Sequence, residues 1–188
     1  MKIYFTASLR GKKDFGENYV LIVKELVRLG HKVSSDQVLN SDFIEVVKQT
    51  KIEAQKEYYK LISEIKKADV VVAEVSAQSL SVGHELTEAM TLNKPLIVLY
   101  TEDHRPGLLF GSMYDKMQIV QYNLDNLKDI LMKSLDEAMK HADVRFNFFV
   151  SPKILNYLDW VAQKRMIPRS VFLRNLIEHE MKKEKDFK

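Results

Sequence analysis

The sequence predicts an α/β protein with a parallel sheet of about five strands, followed by a small C-terminal module. Two observations support this prediction. Short continuous apolar runs, rich in β-branched residues, occur at Val70–Ala73 and Pro95–Tyr100, as is typical of strands buried on both faces. Segments with apolar residues at helical spacing separate such runs. Strands that alternate with helices form a Rossmann-like parallel sheet that is covered on both sides.

The elements of the N-terminal part follow these patterns in chain order. We predict strands at Lys2–Ala7, His31–Ser34, Val70–Ala73, Pro95–Tyr100 and Gln118–Tyr122. We predict helices at Tyr19–Leu29, Glu53–Lys67, Gly83–Leu92 and Leu124–Met139. Gly30 stands where a helix C-cap belongs, whereas residues 36–50 show no clear periodicity.

Length and composition limit the classes of protein to consider. A chain of 188 residues forms one ordinary domain, or a domain of about 140 residues with an appendage. We predict one domain at residues 1–141 and a second at 144–188. No apolar run approaches the roughly 20 residues that span a bilayer, and the N-terminal segment has no signal-peptide pattern. Because the chain has no cysteine, disulfides are excluded, and we expect a cytoplasmic protein without a membrane partner.

Charge is unevenly distributed along the chain. Residues 144–188 hold ten Lys or Arg and five Asp or Glu, whereas the rest of the chain holds 19 basic and 21 acidic residues. A near-neutral body with a basic tail predicts that only the C-terminal module would bind a polyanion. A solvated basic C-terminus is the alternative interpretation.

Two loops fall where open parallel sheets bind ligands, outside the carboxyl ends of the strands. Ser8–Gly11 follows the first strand, and Ser76–Val82 follows the strand at Val70–Ala73. The segment Thr101–Ser112 also follows a strand and would be a lid or a dimer contact, although it carries no recognisable motif.

The loop after Val70–Ala73 leads from a hydroxyl to a carboxylate. Ser79 and Glu85 stand six residues apart across a strand–loop–helix junction, with Gly83 between them. The glycine would let the backbone approach a ligand closely, and the first amides of the helix would form an anion site. Glu85 is predicted in the first helical turn, where a lone carboxylate is more often only a partner of the helix dipole.

The stretch from Ala68 to Leu86 resembles a family signature. It is similar to that of the nucleoside 2-deoxyribosyltransferase superfamily, most of all to the 2′-deoxynucleoside 5′-phosphate N-hydrolase branch. That branch typically has A-D-V-V-V-A-E-V followed by P-S-x-G-V-G-x-E-L, which this chain matches at Ala68–Val75, Ser79, Val82, Gly83, Glu85 and Leu86. The family's Y-F-x-G-S-I-R-G opening and K-P-[IV] strand entry have counterparts at Ile3–Phe5, Ser8–Gly11 and Lys94–Leu96.

The resemblance covers roughly residues 1–140 and implies an enzyme that cleaves the N-glycosidic bond of nucleoside 5′-monophosphates. Glu85 would be the nucleophile that attacks the anomeric carbon, and Tyr4 would position its carboxylate. Ser79 stands where the phosphate-preferring branch has serine and free-nucleoside transferases have a carboxylate, which would repel phosphate. Ser8 and Arg10 would reach the ligand from the first loop. Water would complete a hydrolase reaction, and a second base a transferase reaction.

One departure from the family pattern concerns a second carboxylate. The family usually has an aspartate 24 residues before the nucleophile, and that position here is Leu61. Glu57 and Glu64 lie about one helical turn to either side, so one of them would have to substitute. Tyr4 and Arg10 have ordinary alternatives as a core aromatic and a surface cation. The histidines show no metal-ligand spacing, and we expect neither a metal nor a cofactor.

The C-terminal module has the pattern of a strand and two helices. Val144–Val150 is a strand candidate, and Ser151 and Pro152 supply an N-cap and a first helical residue. A second helix begins near Pro168–Ser170. About 40 residues are too few to fold alone, and the pattern resembles the ribbon-helix-helix modules of the MetJ/Arc class, in which two chains share one core.

The ribbon-helix-helix resemblance implies roles for four residues. Arg145 and Asn147 would point outward from the strand and contact base edges in the DNA major groove, while Arg169 and Ser170 would hold a phosphate. The module would otherwise only dimerise. We expect a homodimer, or a tetramer if the two domains pair different chains.

Two functions remain in competition at this point. The first is an N-glycosidase, either hydrolase or deoxyribosyltransferase, that acts on nucleoside 5′-monophosphates and depends on Glu85. The second is a DNA-binding transcriptional regulator that senses a nucleotide through a catalytically impaired N-terminal domain, an interpretation favoured by Leu61 and the basic C-terminal module.

Overall fold

The computed structural model describes residues 1–140 and 148–184. The chain divides into two compact units, Met1–Asp143 and Val144–Lys188. No helix within the described ranges combines the length and apolarity needed to cross a bilayer.

The first unit is built on one parallel sheet. Its strands are β1 (Lys2–Ala7), β2 (Lys32–Ser34), β3 (Val70–Glu74), β4 (Leu96–Tyr100) and β5 (Met117–Gln121). Its helices are α1 (Lys12–Arg28), α2 (Asp36–Leu39), α3 (Phe43–Val47), α4 (Lys51–Lys67), α5 (Leu80–Thr91) and α6 (Leu127–Lys140). The strand order is β2-β1-β3-β4-β5, and every pairing is parallel. The predicted α/β class is therefore confirmed.

Side-chain alternation along the strands creates two cores, one on each face of the sheet. Phe5 and Val72 are paired in register and pack on the face covered by α1 and α6. Tyr4 and Val71, one residue earlier on the same strands, pack on the face covered by α4 and α5. Because β3 and β4 are buried along their whole length, their continuous apolar sequences need no alternation.

The predicted helix starts differ from the observed ones. Helix α5 begins at Leu80 rather than Gly83, since Ser79 is extended and its hydroxyl accepts the N–H of Val82, as an N-cap does. The prediction that Glu85 lies in the first helical turn is therefore wrong, and the residue lies in the second turn. Residues 36–50, which lack periodicity, contain the two short helices α2 and α3.

The described residues of the second unit form two helices, α7 (Pro152–Arg165) and α8 (Arg169–Met181). Ser151 caps α7 by accepting the N–H of Ile154, and Pro152 occupies the first turn. Within the described part of this unit, the buried apolar side chains are Leu158, Val161 and Phe172. Residues 144–147 of the predicted strand lie outside the described residues, and residues 148–150 form no strand within the single chain.

Candidate active site

The loops that follow the neighbouring strands β1 and β3 lead to opposite faces of the sheet. Strand β1 leads into α1, whose Tyr19 and Ile22 pack on one face of the sheet, and β3 leads into α5, whose Val82 and Leu86 pack on the other. In a sheet of this strand order, the crevice between such loops is the usual ligand site.

Glu85 projects from α5 into this region and is only 5% exposed. The Tyr4 hydroxyl donates a hydrogen bond of 3.0 Å to its Oε2 atom. Burial raises the pKa of Glu85, while hydrogen bonds from the side chains of Thr6 and Tyr4 lower it. Burial, followed by the charge of Glu85, raises the pKa of Tyr4, so Tyr4 remains a neutral donor. The hydrogen bond from Tyr4 thus partly offsets the effect of burial on the Glu85 carboxylate.

A cavity of about 440 Å³ lies over Glu85, within the size range of small-molecule sites. It brings together polar groups from three segments: Ser8 and Arg10, Gln37, and Ser79 with Glu85. Helix α3 contributes an apolar wall formed by Phe43, Val46 and Val47. The cavity thus offers polar groups suited to a sugar phosphate and an apolar surface suited to a flat base.

Ser79 begins α5, where the free amides of a first helical turn attract anions. Its Oγ atom lies 3.4 Å from the backbone nitrogen of Val82, and its side chain lines the cavity over Glu85. Gly83 also lies in this turn, but it lines a different cavity of about 660 Å³ with Leu108 and Leu109. The structure therefore does not bring Gly83 into the cavity that holds Glu85.

The Ser8–Gly11 loop packs tightly beneath the same cavity. The Ser8 hydroxyl accepts the Gly11 N–H at 3.2 Å and is almost fully buried. Arg10 is exposed, and its guanidinium carbon lies 4.6 Å from the centre of the Phe43 ring, a cation–π arrangement. A Cβ atom on Gly11 would lie 2.2 Å from the Cβ of Ala77, so only glycine allows the two loops to meet.

A second, smaller cavity of about 210 Å³ lies beside Tyr4. Gln37 lines both cavities, and its Oε1 atom is 3.5 Å from the Tyr4 hydroxyl. Leu61, Glu57 and Glu64 line the smaller one. Leu61 itself is packed in the hydrophobic core, so the position of the family aspartate carries no polar group.

The two glutamates on this cavity differ in their surroundings. Glu64 accepts a hydrogen bond of 3.0 Å from Lys67, and this bond is the main cause that lowers the pKa of Glu64. For Glu57, no hydrogen bond or ion pair is present among the described residues. Glu57 is therefore the carboxylate more accessible to a ligand in the smaller cavity.

Among the residues of the cavity over Glu85 that sequence reasoning missed are Thr6, Gln37 and Phe43. Thr6 lies two residues after Tyr4 on the same strand, and this alternation alone places both on one face of the sheet. Gln37 and Phe43 lie in the segment without periodicity, and nothing in the sequence pattern indicated them. No cluster of three His, Asp or Glu side chains able to hold a metal ion occurs in the described parts of the chain.

The C-terminal unit places Arg169 and Ser170 in the first turn of α8. The Arg169 guanidinium forms an ion pair with Asp159 of α7. Arg145 and Asn147, the two predicted base-contacting residues, lie outside the described residues.

Comparison with known proteins gives several relatives. A 5-hydroxymethyl-dUMP N-hydrolase of Rattus norvegicus is 35% identical over 98 residues, which are 52% of this chain and 60% of that protein. A protein of Syntrophotalea carbinolica named as a 2′-deoxynucleoside 5′-phosphate N-hydrolase 1 is 30% identical over 143 residues, or 73% of this chain and 96% of the relative. A solved CMP N-glycosidase of Clostridium botulinum aligns with a TM-score of 0.46 and 16% identity over 72% of this chain and 99% of its own. No protein-family model matches the chain.

The parallel sheet and the buried Glu85 carboxylate, held by Tyr4 of β1, define an α/β protein of the nucleoside 2-deoxyribosyltransferase-like class. Within this class, the chain belongs to the 2′-deoxynucleoside 5′-phosphate N-hydrolase family. The matched part is less than two thirds of the rat protein's length and nearly all of the bacterial one's.

Proposed function

We propose that this protein is an N-glycosidase that cleaves the bond between base and sugar in nucleoside or deoxynucleoside 5′-monophosphates. The observation that carries the proposal is the buried Glu85 carboxylate, which accepts the Tyr4 hydroxyl at 3.0 Å beneath a cavity that also contains Ser79. Relatives named as hydrolases of nucleoside monophosphates support the same reaction.

The proposed chemistry has two steps. One oxygen of Glu85 attacks the anomeric carbon, the N-glycosidic bond breaks, and the base leaves with the bonding electrons and takes up a proton. The sugar is then held as an ester of Glu85. Water attacks the anomeric carbon in the second step, which releases the sugar phosphate and regenerates the carboxylate. A second base in place of water would make the reaction a transfer.

The 5′-phosphate is the ligand group that Ser79 and the amides of α5 suit best. A hydroxyl and a helix N-terminus both accommodate an anion, and Arg10 on the neighbouring loop adds a positive charge. Tyr4 would position Glu85 rather than react, because its hydroxyl is committed to Oε2. Ser8 supports the ligand side of the first loop, and Gly83 would act only through the backbone of α5.

The test is release of free base from a panel of nucleoside and deoxynucleoside 5′-monophosphates. We expect release by the natural protein and loss of at least about a thousandfold in Glu85→Ala, since the nucleophile is removed. Glu88→Gln, one turn further along α5, is the matched control and should retain activity. Absence of release from every substrate by the folded natural protein would refute the enzymatic proposal.

The alternative function is a nucleotide-sensing, DNA-binding regulator, which the basic C-terminal module and Leu61 favour. Leu61 leaves the usual position of the second carboxylate apolar. Tight binding of a nucleoside 5′-monophosphate without base release, together with nucleotide-dependent binding of DNA fragments by the full chain, would support this function instead.

For the C-terminal unit we propose a ribbon-helix-helix module that dimerises the protein. The three buried apolar side chains among its described residues are too few for an independent core, while Ile154, Leu155, Leu176 and Ile177 are exposed on the single chain. A second copy would cover such residues. Sedimentation of the full chain should give a dimer or tetramer, and Leu155→Asp combined with Ile177→Asp should lower the mass. An unchanged assembly would refute this role.

DNA binding by this module is a separate proposal and depends on Arg145, Asn147, Arg169 and Ser170. The basic charge of residues 144–188 supports it. Because Arg169 already pairs with Asp159, contact with a phosphate would require it to exchange partners. Salt-dependent gel shifts with Arg145→Ala and Arg169→Ala would measure the contribution of each cation.

A further inference from the structure

Glu74 is a fully buried carboxyl group that the proposed mechanism does not use. It ends β3, directly before the loop that leads to Ser79. Its Oε1 atom accepts three hydrogen bonds, from the N–H of Ser76 at 3.3 Å, from the hydroxyl of Ser76, and from the hydroxyl of Tyr122 at 3.2 Å. Its Oε2 atom is buried without a partner among the described residues.

The hydrogen bonds of Ser76 continue toward the segment after β4. The Ser76 hydroxyl oxygen accepts the backbone N–H of Thr101 at 2.9 Å and the Thr101 hydroxyl at 3.1 Å. Thr101 Oγ1 in turn lies 2.9 Å from Nδ1 of His104. Glu74 therefore anchors a chain of polar contacts that joins the β3–α5 loop to the next loop along the sheet edge.

Contacts around Glu74 also reach the first loop. Tyr122 receives a hydrogen bond of 3.0 Å from Asn18 of α1. The Tyr19 hydroxyl donates to the backbone oxygen of Ser8 at 3.3 Å. Burial, and then the nearby charge of Glu74, raises the pKa of Tyr19. The side chains below all three loops thus converge on one carboxyl group.

The burial of Glu74 has a cost in stability. A buried polar atom without a partner destabilises the fold, and burial raises the pKa of Glu74 although its hydrogen bonds oppose the rise. An apolar side chain would remove the unpartnered oxygen but would leave the donors of Ser76 and Tyr122 without their acceptor. What the carboxyl group supplies is an acceptor that fixes the backbone and the side chain of Ser76 at the same time.

We propose that Glu74 is a positioning residue that holds the β3–α5 loop in the conformation that binds the ligand's phosphate. It acts through Ser76 and Thr101, and the inference rests on the proposed function because that function places the phosphate at Ser79. Without Glu74, Ser76 at the beginning of the loop would no longer be held in place, and Ser79 would lose its orientation.

The test compares Glu74→Ala, which removes the acceptor, with Glu74→Gln, which keeps an acceptor oxygen. Glu25→Gln is the matched control, because Glu25 on α1 also has a buried carboxylate oxygen with no partner in the part of the chain that the structure describes. All variants are made in the Glu85→Gln background, so that no ligand is turned over. Dissociation constants are measured for a nucleoside 5′-monophosphate and for the same nucleoside without phosphate, and hydrogen exchange is measured at the amides of residues 77–82.

We expect Glu74→Ala to weaken monophosphate binding about tenfold, as the loss of one or two hydrogen bonds would, and nucleoside binding less than about twofold. Exchange at residues 77–82 should become about tenfold faster. Glu74→Gln should restore both quantities, and Glu25→Gln should change neither. Equal weakening for both ligands, or exchange as slow as in the control, would overturn the proposal.

A variant of Thr101 provides a second route if Glu74→Ala does not fold. Thr101→Val removes one hydroxyl and keeps the shape of the side chain, and it should speed exchange at residues 77–82 in the same direction. Because hydrogen exchange needs no ligand, this result is separate from the enzymatic proposal: a protein that releases no base could still show the loop effect, and an active enzyme could lack it.

Discussion

The Tyr4 hydroxyl lies 3.0 Å from Oε2 of Glu85, although 81 residues separate the two in sequence. The contact arises because Tyr4 faces the α4/α5 side of the sheet, where α5 presents Glu85. Thr6, two residues further along the same strand, also donates a hydrogen bond to Glu85, so β1 orients the carboxylate through two side chains.

Replacement of Tyr4 by phenylalanine should shift the acid limb of catalysis. The Tyr4 hydrogen bond lowers the pKa of Glu85, so its loss raises that pKa. Since the nucleophile must be ionised, activity falls as pH decreases through this pKa, and the limb of kcat/KM should move to higher pH. At pH values on this acid limb, we expect kcat/KM to fall about ten- to a hundredfold. An unchanged limb in Tyr4→Phe would show that Tyr4 does not stabilise the carboxylate.

Glu85→Gln should stabilise the fold while it abolishes activity. Burial is the main cause that raises the pKa of Glu85, so the ionised form destabilises the folded state above that pKa, and this cost disappears as the group is protonated at lower pH. The amide cannot ionise, and we expect a gain of about 0.5–2 kcal/mol at pH 8 that shrinks toward acidic pH. Thermal unfolding at several pH values, with Glu88→Gln as control, measures this gain in the free energy of unfolding. A gain independent of pH would contradict the argument.

The two glutamates beside Leu61 should differ in their contribution to catalysis. Glu57→Gln is expected to slow base release about a hundredfold or more, the usual size of general acid–base assistance, because no partner among the described residues holds its carboxylate. Glu64→Gln should change the rate less than about threefold, since Glu64 is held by Lys67.

A substrate with an activated leaving group provides the control for Glu57. If Glu57 protonates the departing base, a base that leaves without protonation should restore the rate of Glu57→Gln. Equal losses in both glutamate variants, or no rescue, would argue against this assignment. Neither glutamate would then replace the carboxylate that is missing at Leu61.

Ser79→Asp should change the preference from nucleotides to free nucleosides. Aspartate is as good an N-cap as serine, so stability should be preserved, but its charge would repel the 5′-phosphate. We expect KM for monophosphates to rise at least about tenfold. Ser79→Asn has nearly the same shape without the charge, and its KM should stay close to that of the natural protein. Similar KM values for the two variants would show that Ser79 does not lie next to the 5′-phosphate.

Gly11→Ala should destabilise the N-terminal unit by about 1–3 kcal/mol, the cost of overpacking. The new methyl group would lie 2.2 Å from Ala77 Cβ and 2.7 Å from the Tyr19 hydroxyl, and one loop would have to move. Denaturant unfolding measures the loss. Gly83→Ala is the control, since a Cβ there meets no atom within 4 Å, and it should be neutral or stabilising. A stable Gly11→Ala would mean that the loops separate easily.

The sequence predicted the sheet well because of the physics of buried strands. Val70–Glu74 and Leu96–Tyr100 have apolar side chains on both faces, and such runs have few other interpretations. Helix starts were harder to predict. At Leu80 the start depends on whether Ser79 caps the helix, which is a local geometry that hydrophobic periodicity does not report.

The residues of the site also differ in how well the sequence predicts them. Ser79 and Glu85 belong to one continuous motif, and Tyr4 lies on a strand with a clear pattern. Gln37 and Phe43 lie on helices of four and five residues, too short to show a period, and they reach the cavity only through tertiary packing. Residues of that kind become visible only in the folded structure.

The pairing of β1 with β3 also bears on how the protein folds. These strands are neighbours in the sheet but are separated along the chain by α1, β2 and three further helices, so their pairing closes a long loop and is slow compared with helix formation. A folding intermediate with its helices formed but this pairing absent would have Glu85 without Tyr4. Recovery of activity during refolding would then report completion of the sheet rather than collapse of the chain.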